Sequence, residues 1–257
     1  MTTQQKWVAF YTILIKEILR FLRIWKQTIL PAVITTILYF IIFGHLIGSA
    51  IGDMDGIAYH NFIAPGLVMM TVIGNAYGNT VASFFSAKFH GHIEEMLVSP
   101  TPNTIILLGF IGGGVARGLV VGAAVISVVL LFTELPIHSP LITLSIITLT
   151  SILFSLAGII NAMYAQSFDD ISIIPTFVLT PLTYLGGVFY SISMLPEFWQ
   201  NISLFNPILY MVNGFRYGIL GVSDISLLHS YLIILGFIGL LFFYTLHLLR
   251  TGKGIRT

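Results

Sequence analysis

The sequence predicts an all-α polytopic membrane protein: six transmembrane helices, an N-terminal interfacial amphipathic helix, and an outer re-entrant helical hairpin before the last span. Three observations carry that prediction. Of 257 residues, 56% are apolar and 8% charged, whereas a soluble domain carries roughly a quarter charged residues. The mean hydropathy is +0.96, more apolar surface than a soluble core of this length hides behind so little charge. The apolar residues also gather in continuous runs of about 20 residues, enough for a helix to cross about 30 Å of hydrocarbon, without the alternation of a transmembrane strand. This excludes a cytosolic enzyme, a nucleic-acid binder and a disordered chain. With no cysteine there is no disulfide framework and no thiolate metal site. Residues 1–257 read as a single transmembrane domain.

Residues 6–26 come first. Lys16, Arg20 and Arg23 share one helical face, and Phe10, Leu14, Ile18, Leu22 and Trp25 another. A basic amphipathic helix with aromatics lies in the headgroup layer rather than crossing it. It is either a plain anchor or a lever joined to the first span. The spans fall at about 29–47, 62–82, 105–132, 141–165, 175–193 and 231–249. Gly48-Ser49-Ala50 resembles a signal-peptidase site, but the segment ahead of the apolar run is too long for the charged start of a signal peptide.

Lys and Arg set the orientation. Lys6, Lys16, Arg20, Arg23, Lys26, Lys88, Arg250, Lys253 and Arg256 fall on one side, and Arg216 alone on the other. The positive-inside rule places the nine, and both termini, in the cytoplasm. The first outer loop carries Asp53 and Asp55 and no basic residue, which agrees.

The first cytoplasmic loop, 88–97, has helical periodicity. Phe89, Ile93, Met96 and Leu97 share one face, while Lys88, His92 and Glu95 take the other. Val98-Ser99-Pro100-Thr101-Pro102 stops the helix. It is either a solvated loop helix or a docking helix. His90, His92, Glu94 and Glu95 lack the spacing that converges metal ligands, so no metal site is expected. The second cytoplasmic loop, 166–174, holds Asp169 and Asp170, adjacent acids that diverge on a helix and make no catalytic pair. Pro175 opens the fifth span.

Two positions stand out at membrane depth. Arg117 lies mid-way along the third span behind Gly112-Gly113-Gly114, and an ionisable residue there marks a functional-site hypothesis. Its partners would be backbone carbonyls, Asn161, water or substrate, so structural pairing and a place on a translocation path both stand open. Span five is interrupted by Pro181 and Gly186-Gly187. Beyond it, Leu195 to Phe205 is too short to cross. Asn206 caps and Pro207 opens a helix to Leu220, which at about 20 Å reaches partway into the bilayer. Together these give a re-entrant segment at about 195–221, with Arg216 expected to snorkel to the headgroups.

The run from Leu179 to Arg216, LTPLTYLGGVFYSISMLPEFWQNISLFNPILYMVNGFR, resembles the signature of ABC-2 type transporter permeases, and Glu94-Glu95-Met96-Leu97-Val98-Ser99-Pro100 looks like that family's first cytoplasmic loop. The resemblance covers nearly the whole chain and extends to drug-resistance, nodulation-factor and polysaccharide export permeases, with a small bacterial inner-membrane permease the nearest likeness. It implies a multi-pass inner-membrane subunit that works as a homodimer beside two ABC ATPase subunits, which bind the ATP and Mg. It implies that Lys88, Phe89, Ile93, Glu94, Glu95, Leu97, Asp169 and Asp170 couple to those ATPases. It implies that Leu195, Pro196, Asn206, Pro207, Tyr210 and Arg216 form an outer gate, and that cargo is exported.

The chain contains no G-x-x-x-x-G-K-[ST] phosphate loop, so ATP-driven transport would need another polypeptide to hydrolyse the nucleotide, and no cofactor is expected on this chain. The alternative is a secondary transporter driven by an ion gradient. That design calls for intramembrane acids and an inverted repeat, and neither is evident. A membrane-embedded enzyme is a third class. His45, His60, His138 and His229 sit singly near outer span ends, with no catalytic motif around them.

Overall fold

A computed structural model describes residues 1–54 and 56–254, without the side chains of His45, Ser49 and Ala50. Asp55 and Arg256, used above in the charge argument, lie outside the described residues, as do the side chains of Ser49 and Ala50 in the cleavage-like tripeptide. Apart from a small antiparallel pair, Asp53–Met54 with Ile57–Ala58, every regular element among the described residues is helical. Helix α1 is Thr3–Arg23, and α2 is a nearly continuous run over 25–51 whose second half widens into π-type turns. Then follow α3 (Tyr59–Phe89), α4 (His92–Val98), α5 (Asn103–Val129) and α6 (Pro140–Tyr164). The helical run 170–184 is α7; α8 is Glu197–Leu204, α9 Pro207–Leu220 and α10 Leu227–Thr251.

Four helices among the described residues are long and apolar enough to cross a membrane: Trp25–Gly44, Asn103–Val129, Pro140–Tyr164 and Leu227–Thr251. The expected second span lies inside α3. That helix has 31 residues, about 46 Å at 1.5 Å each, and carries His60, Asn61, Asn75, Asn79 and Lys88 among its apolar residues. The fifth span needs correcting. Its helix ends at Tyr184 instead of reaching 193, because the chain turns over 185–191 with Gly187 at φ +72°, a backbone region that glycine enters without strain.

Helix α3 is the centre of the bundle, packed against α5 and α6. Glycines permit the approach. A Cβ at Gly118 would sit 2.5 Å from Ser151 Oγ, and one at Gly122 2.7 Å from Ile147, so α6 lies directly on that face of α5. The triple glycine 112–114 does not break α5. Gly112 and Gly113 receive Leu14 and Glu17 of α1, and Gly114 faces Ser155.

The amphipathic face assigned to α1 is rotated in the structure. Ile13, Glu17 and Phe21, at four-residue spacing, form its buried stripe, while Leu22 and Trp25 are exposed.

Candidate functional site

Three polar stations lie along the bundle: one at the end carrying the chain termini, one at mid-height and one at the opposite end.

At the termini end, α3 stops at Phe89 and Gly91 turns the chain with φ +76° into α4. Lys88 and Phe89 therefore belong to α3, and the loop helix starts at His92. Ile93 is fully buried, so it anchors α4 rather than offering a contact. Glu94 and Glu95 point outward, Leu97 is half-buried, and Val98 is 89% exposed. Lys88 Nζ donates to Met163 O (2.7 Å) and Ala165 O (2.8 Å), tying the end of α3 to the end of α6. This burial pushes the Lys88 ammonium below its ordinary pKa.

Phe168, on the 165–169 loop, meets Phe85 edge-on at 4.9 Å and Phe89 at 5.3 Å. Phe89 stays 61% exposed. Asp170 accepts from the Gln166 and Ser167 amides at 2.9 and 3.0 Å, and these bonds hold its carboxyl below the usual range. Its role is to shape the loop, whereas Asp169 projects. Of the eight expected coupling residues, Phe89, Glu94, Glu95 and Asp169 thus face outward, Leu97 is half-buried, and Lys88, Ile93 and Asp170 hold the patch in place.

Beside this patch, α1 holds an acid that hydropathy and charge patterning did not single out. Glu17 is fully buried, accepts from Ser83 Oγ (2.8 Å), and lies 3.4 Å from Arg20 Nε and 3.5 Å from Lys16 Nζ. Arg20 Nη2 also donates to Asn79, at 2.8 Å to its Oδ1 and 3.0 Å to its carbonyl. The available signal was an acid spaced four residues from both Ile13 and Phe21.

At mid-height, Arg117 donates from Nε (3.2 Å) and Nη2 (2.9 Å) to Asn75 Oδ1. Its partner is Asn75 and not Asn161, which donates instead to Ile171 O. The guanidinium lines a cavity of about 260 Å³ between α2 and α3.

At the opposite end, α8 and α9 meet at Asn206. As expected, its side chain caps α9, accepting from Ile208 N at 3.0 Å, with Pro207 at the first turn. Its amide donates to Leu182 O (2.6 Å), which ties the α8–α9 junction to α7. Gln200 donates to Leu195 O, Pro196 precedes α8, and Tyr210 donates to Leu204 O.

Snorkelling of Arg216 is overturned. It is 1% exposed, stacked over Phe62 at 4.0 Å, with Nη2 donating to Gly187 O at 2.5 Å. Its Nη1 lies 4.0 Å from Asp224 Oδ2, and Asp224 also accepts from Ser191 Oγ (2.9 Å) and Ile192 N (3.1 Å). Asn213 Oδ1 accepts from Asp224 N at 2.9 Å. Arg216 thus fastens the 185–191 turn and the 221–226 loop to α9. Asp224 and Asn213, unmarked in the sequence, complete that arrangement.

Comparison with known proteins places the chain in a family. The family model described as ABC-2 type transporter matches residues 8–220. The inner membrane transport permease YadH of Escherichia coli strain K12 is 54% identical over 251 residues, 98% of both chains. Nodulation protein J of Neorhizobium galegae is 25% identical over 249 residues, 95% of this chain and 92% of its own. Nodulation protein J of Rhizobium leguminosarum bv. viciae is 24% identical over 202 residues, 77% and 78% of the two chains. With a family model over most of its length and a relative more than half identical from end to end, this chain belongs to the ABC-2 type transporter family.

Proposed function

We propose that the chain is the membrane-spanning permease subunit of an ATP-binding cassette exporter in the bacterial inner membrane, powered by ATP hydrolysed on a separate subunit. Family membership and the relative named an inner membrane transport permease support a transport subunit without its own enzymatic activity. Permeases of this family normally work with an ATPase subunit. The finer reading has six spans, with α3 and α7 as the second and fifth, both termini cytoplasmic, and α1 lying along the inner interface. The α8–α9 pair is a re-entrant hairpin that closes the outer side. Two copies of the chain pair with two ATPases, which carry the ATP and Mg.

One observation carries the docking assignment. Next to the termini, Phe89, Phe168, Glu94, Glu95 and Asp169 project from a patch whose geometry Ile93, Lys88 and Asp170 hold fixed. Exposed phenylalanines amid acids suit a partner that brings an apolar socket with a basic rim. Nucleotide-driven movement of that partner would shift the permease between inward- and outward-facing populations through differential contacts with α4. Co-purification tests the assignment. Glu94→Lys is expected to cut ATPase association at least tenfold while the variant permease stays monodisperse. Wild-type association and wild-type transport in that variant would remove α4 from the interface.

A further inference from the structure

We propose that the mid-height cavity around Arg117 binds the oxyanion head group, phosphate or carboxylate, of an amphipathic cargo. The inference rests on the permease reading and adds a cargo chemistry to it. Arg117 lies about 21 Å along α5 from Asn103 and about 18 Å from Val129 by helical rise, far from either end. Its two bonds share one neutral acceptor, Asn75 Oδ1, and Asn75 is itself oriented by donating to Thr71 O at 3.0 Å. Among the described residues the ion pairs belong to Lys16, Arg20, His92 and Arg216, so no acid neutralises Arg117. The contrast with Arg20 is direct: Asn79, one turn along α3 from Asn75, holds that guanidinium, but Glu17 balances its charge.

A guanidinium has five donors in a fixed fork, and a bidentate oxyanion is the partner that fork matches. An uncompensated cation at membrane depth is costly, and a bound anion removes that cost. The cavity also fits an amphiphile. Thr35, Tyr39 and Thr71 line it together with Arg117, as do Leu67 and Met70. Met70 and Gly74 are shared with a second cavity of about 230 Å³ that runs toward Leu179 and Thr183 of α7. A Cβ at Gly74 or Gly78 would meet nothing within 4 Å, so this side of α3 is open to an acyl or aryl tail.

The test uses the full-length chain in phosphatidylcholine nanodiscs, titrated with dodecyl phosphate, dodecyl phosphocholine or inorganic phosphate. Binding is followed by tryptophan fluorescence and by the thermal unfolding midpoint. The expected result is saturable binding of dodecyl phosphate, weakened at least tenfold by Arg117→Gln, partly kept by Arg117→Lys and unchanged by Arg250→Gln at the tail. If Arg117→Gln does not stay monodisperse, Asn75→Leu replaces it and is expected to weaken binding by disorienting the guanidinium. Equal affinity in the Gln and wild-type chains, or equal binding of the zwitterionic probe, overturns the proposal. Inorganic phosphate binding as tightly as dodecyl phosphate overturns the amphipathic part. Abolished dodecyl phosphate binding in phosphatidylglycerol discs identifies a resident bilayer lipid as the oxyanion's source and overturns the cargo part; retained binding supports it. Because no ATPase is present, and Glu94→Lys is expected to bind the probe normally, failure here is separable from failure of the docking assignment.

Discussion

The α4 patch and helix α9, at opposite ends of the bundle, are built on opposite plans. Near the termini, Phe89 and Val98 stand out from the surface, and the acids of α4 make few contacts within the chain. At the other end, α9 turns almost every residue from Ile208 to Ile219 inward, its arginine included. A surface left incomplete is where a second protein can act, whereas an element closed on itself can move only as a unit. On the proposed docking, the α4 patch would take the input and α9 would tilt as a whole.

The largest expected effect comes from opening the closed end. Arg216→Ala removes the charge that bridges Gly187 O, the face of Phe62 and Asp224. It also leaves the Asp224 carboxylate facing a cavity. Breaking a buried pair on one side costs roughly 3–5 kcal/mol, and a loss near the lower bound is expected in reversible denaturation of the detergent-solubilised chain. Arg216→Lys keeps the charge but not the planar fork, so it should recover less than half. Wild-type stability in the alanine variant would mean that α9 is not fastened through this side chain.

A smaller effect is expected beside the open patch. At the termini end, α1 is held by a buried acid, and Glu17→Gln keeps the shape while removing the charge that faces Lys16 and Arg20. Both bases are partly exposed, which weakens the pairing, so about 1 kcal/mol is expected. That loss should be local. Trypsin should cut faster at Arg20 and Arg23, with little change in the global unfolding midpoint. Equal cutting rates would show that the glycine face of α5, and not the acid, retains α1.

The same contrast explains what the sequence could reveal. Hydropathy located α5, α6 and α10 to within a few residues, because each presents apolar residues along most of a single continuous helix. It undersized α3, since the polar turns of that helix beyond the apolar run leave no hydropathy signal. It oversized the fifth span, because the turn at 185–191 is as apolar as a helix; its Val188 is buried, with its backbone against Gly66.

Site residues followed a similar rule. Asn206 and Pro207 were legible because a helix cap is a local feature. Arg216 was not, because its partners Phe62, Gly187 and Asp224 come from three separate parts of the chain, and a lone arginine near a helix end looks the same whether it reaches water or is sealed. Glu17 was hidden for a related reason: charge marks an outward face only when no partner waits inside, and Ser83 waits there.

The smallest expected effect concerns the scaffold under the exposed patch, and it depends on pH. Asp170 is half-buried, and the Gln166 and Ser167 amides and the Ser167 hydroxyl hold its carboxyl below the usual range. A carboxyl whose folded pKa is depressed stabilises the fold above its unfolded value and loses that contribution as pH falls through the folded one. The 166–170 loop should therefore be ordered at neutral pH and loosen only in the acid range below ordinary carboxylate titration, releasing Phe168 from Phe85 and Phe89. Amide exchange at Gln166 and Ser167, compared between neutral and acid pH, reads this directly. Asp170→Asn should show the acid-like exchange already at neutral pH and lose most of the pH dependence. If the wild type and the variant exchange alike at neutral pH, the aromatic contact with Phe85 fixes the loop, and the patch owes its shape to packing instead of to the carboxylate.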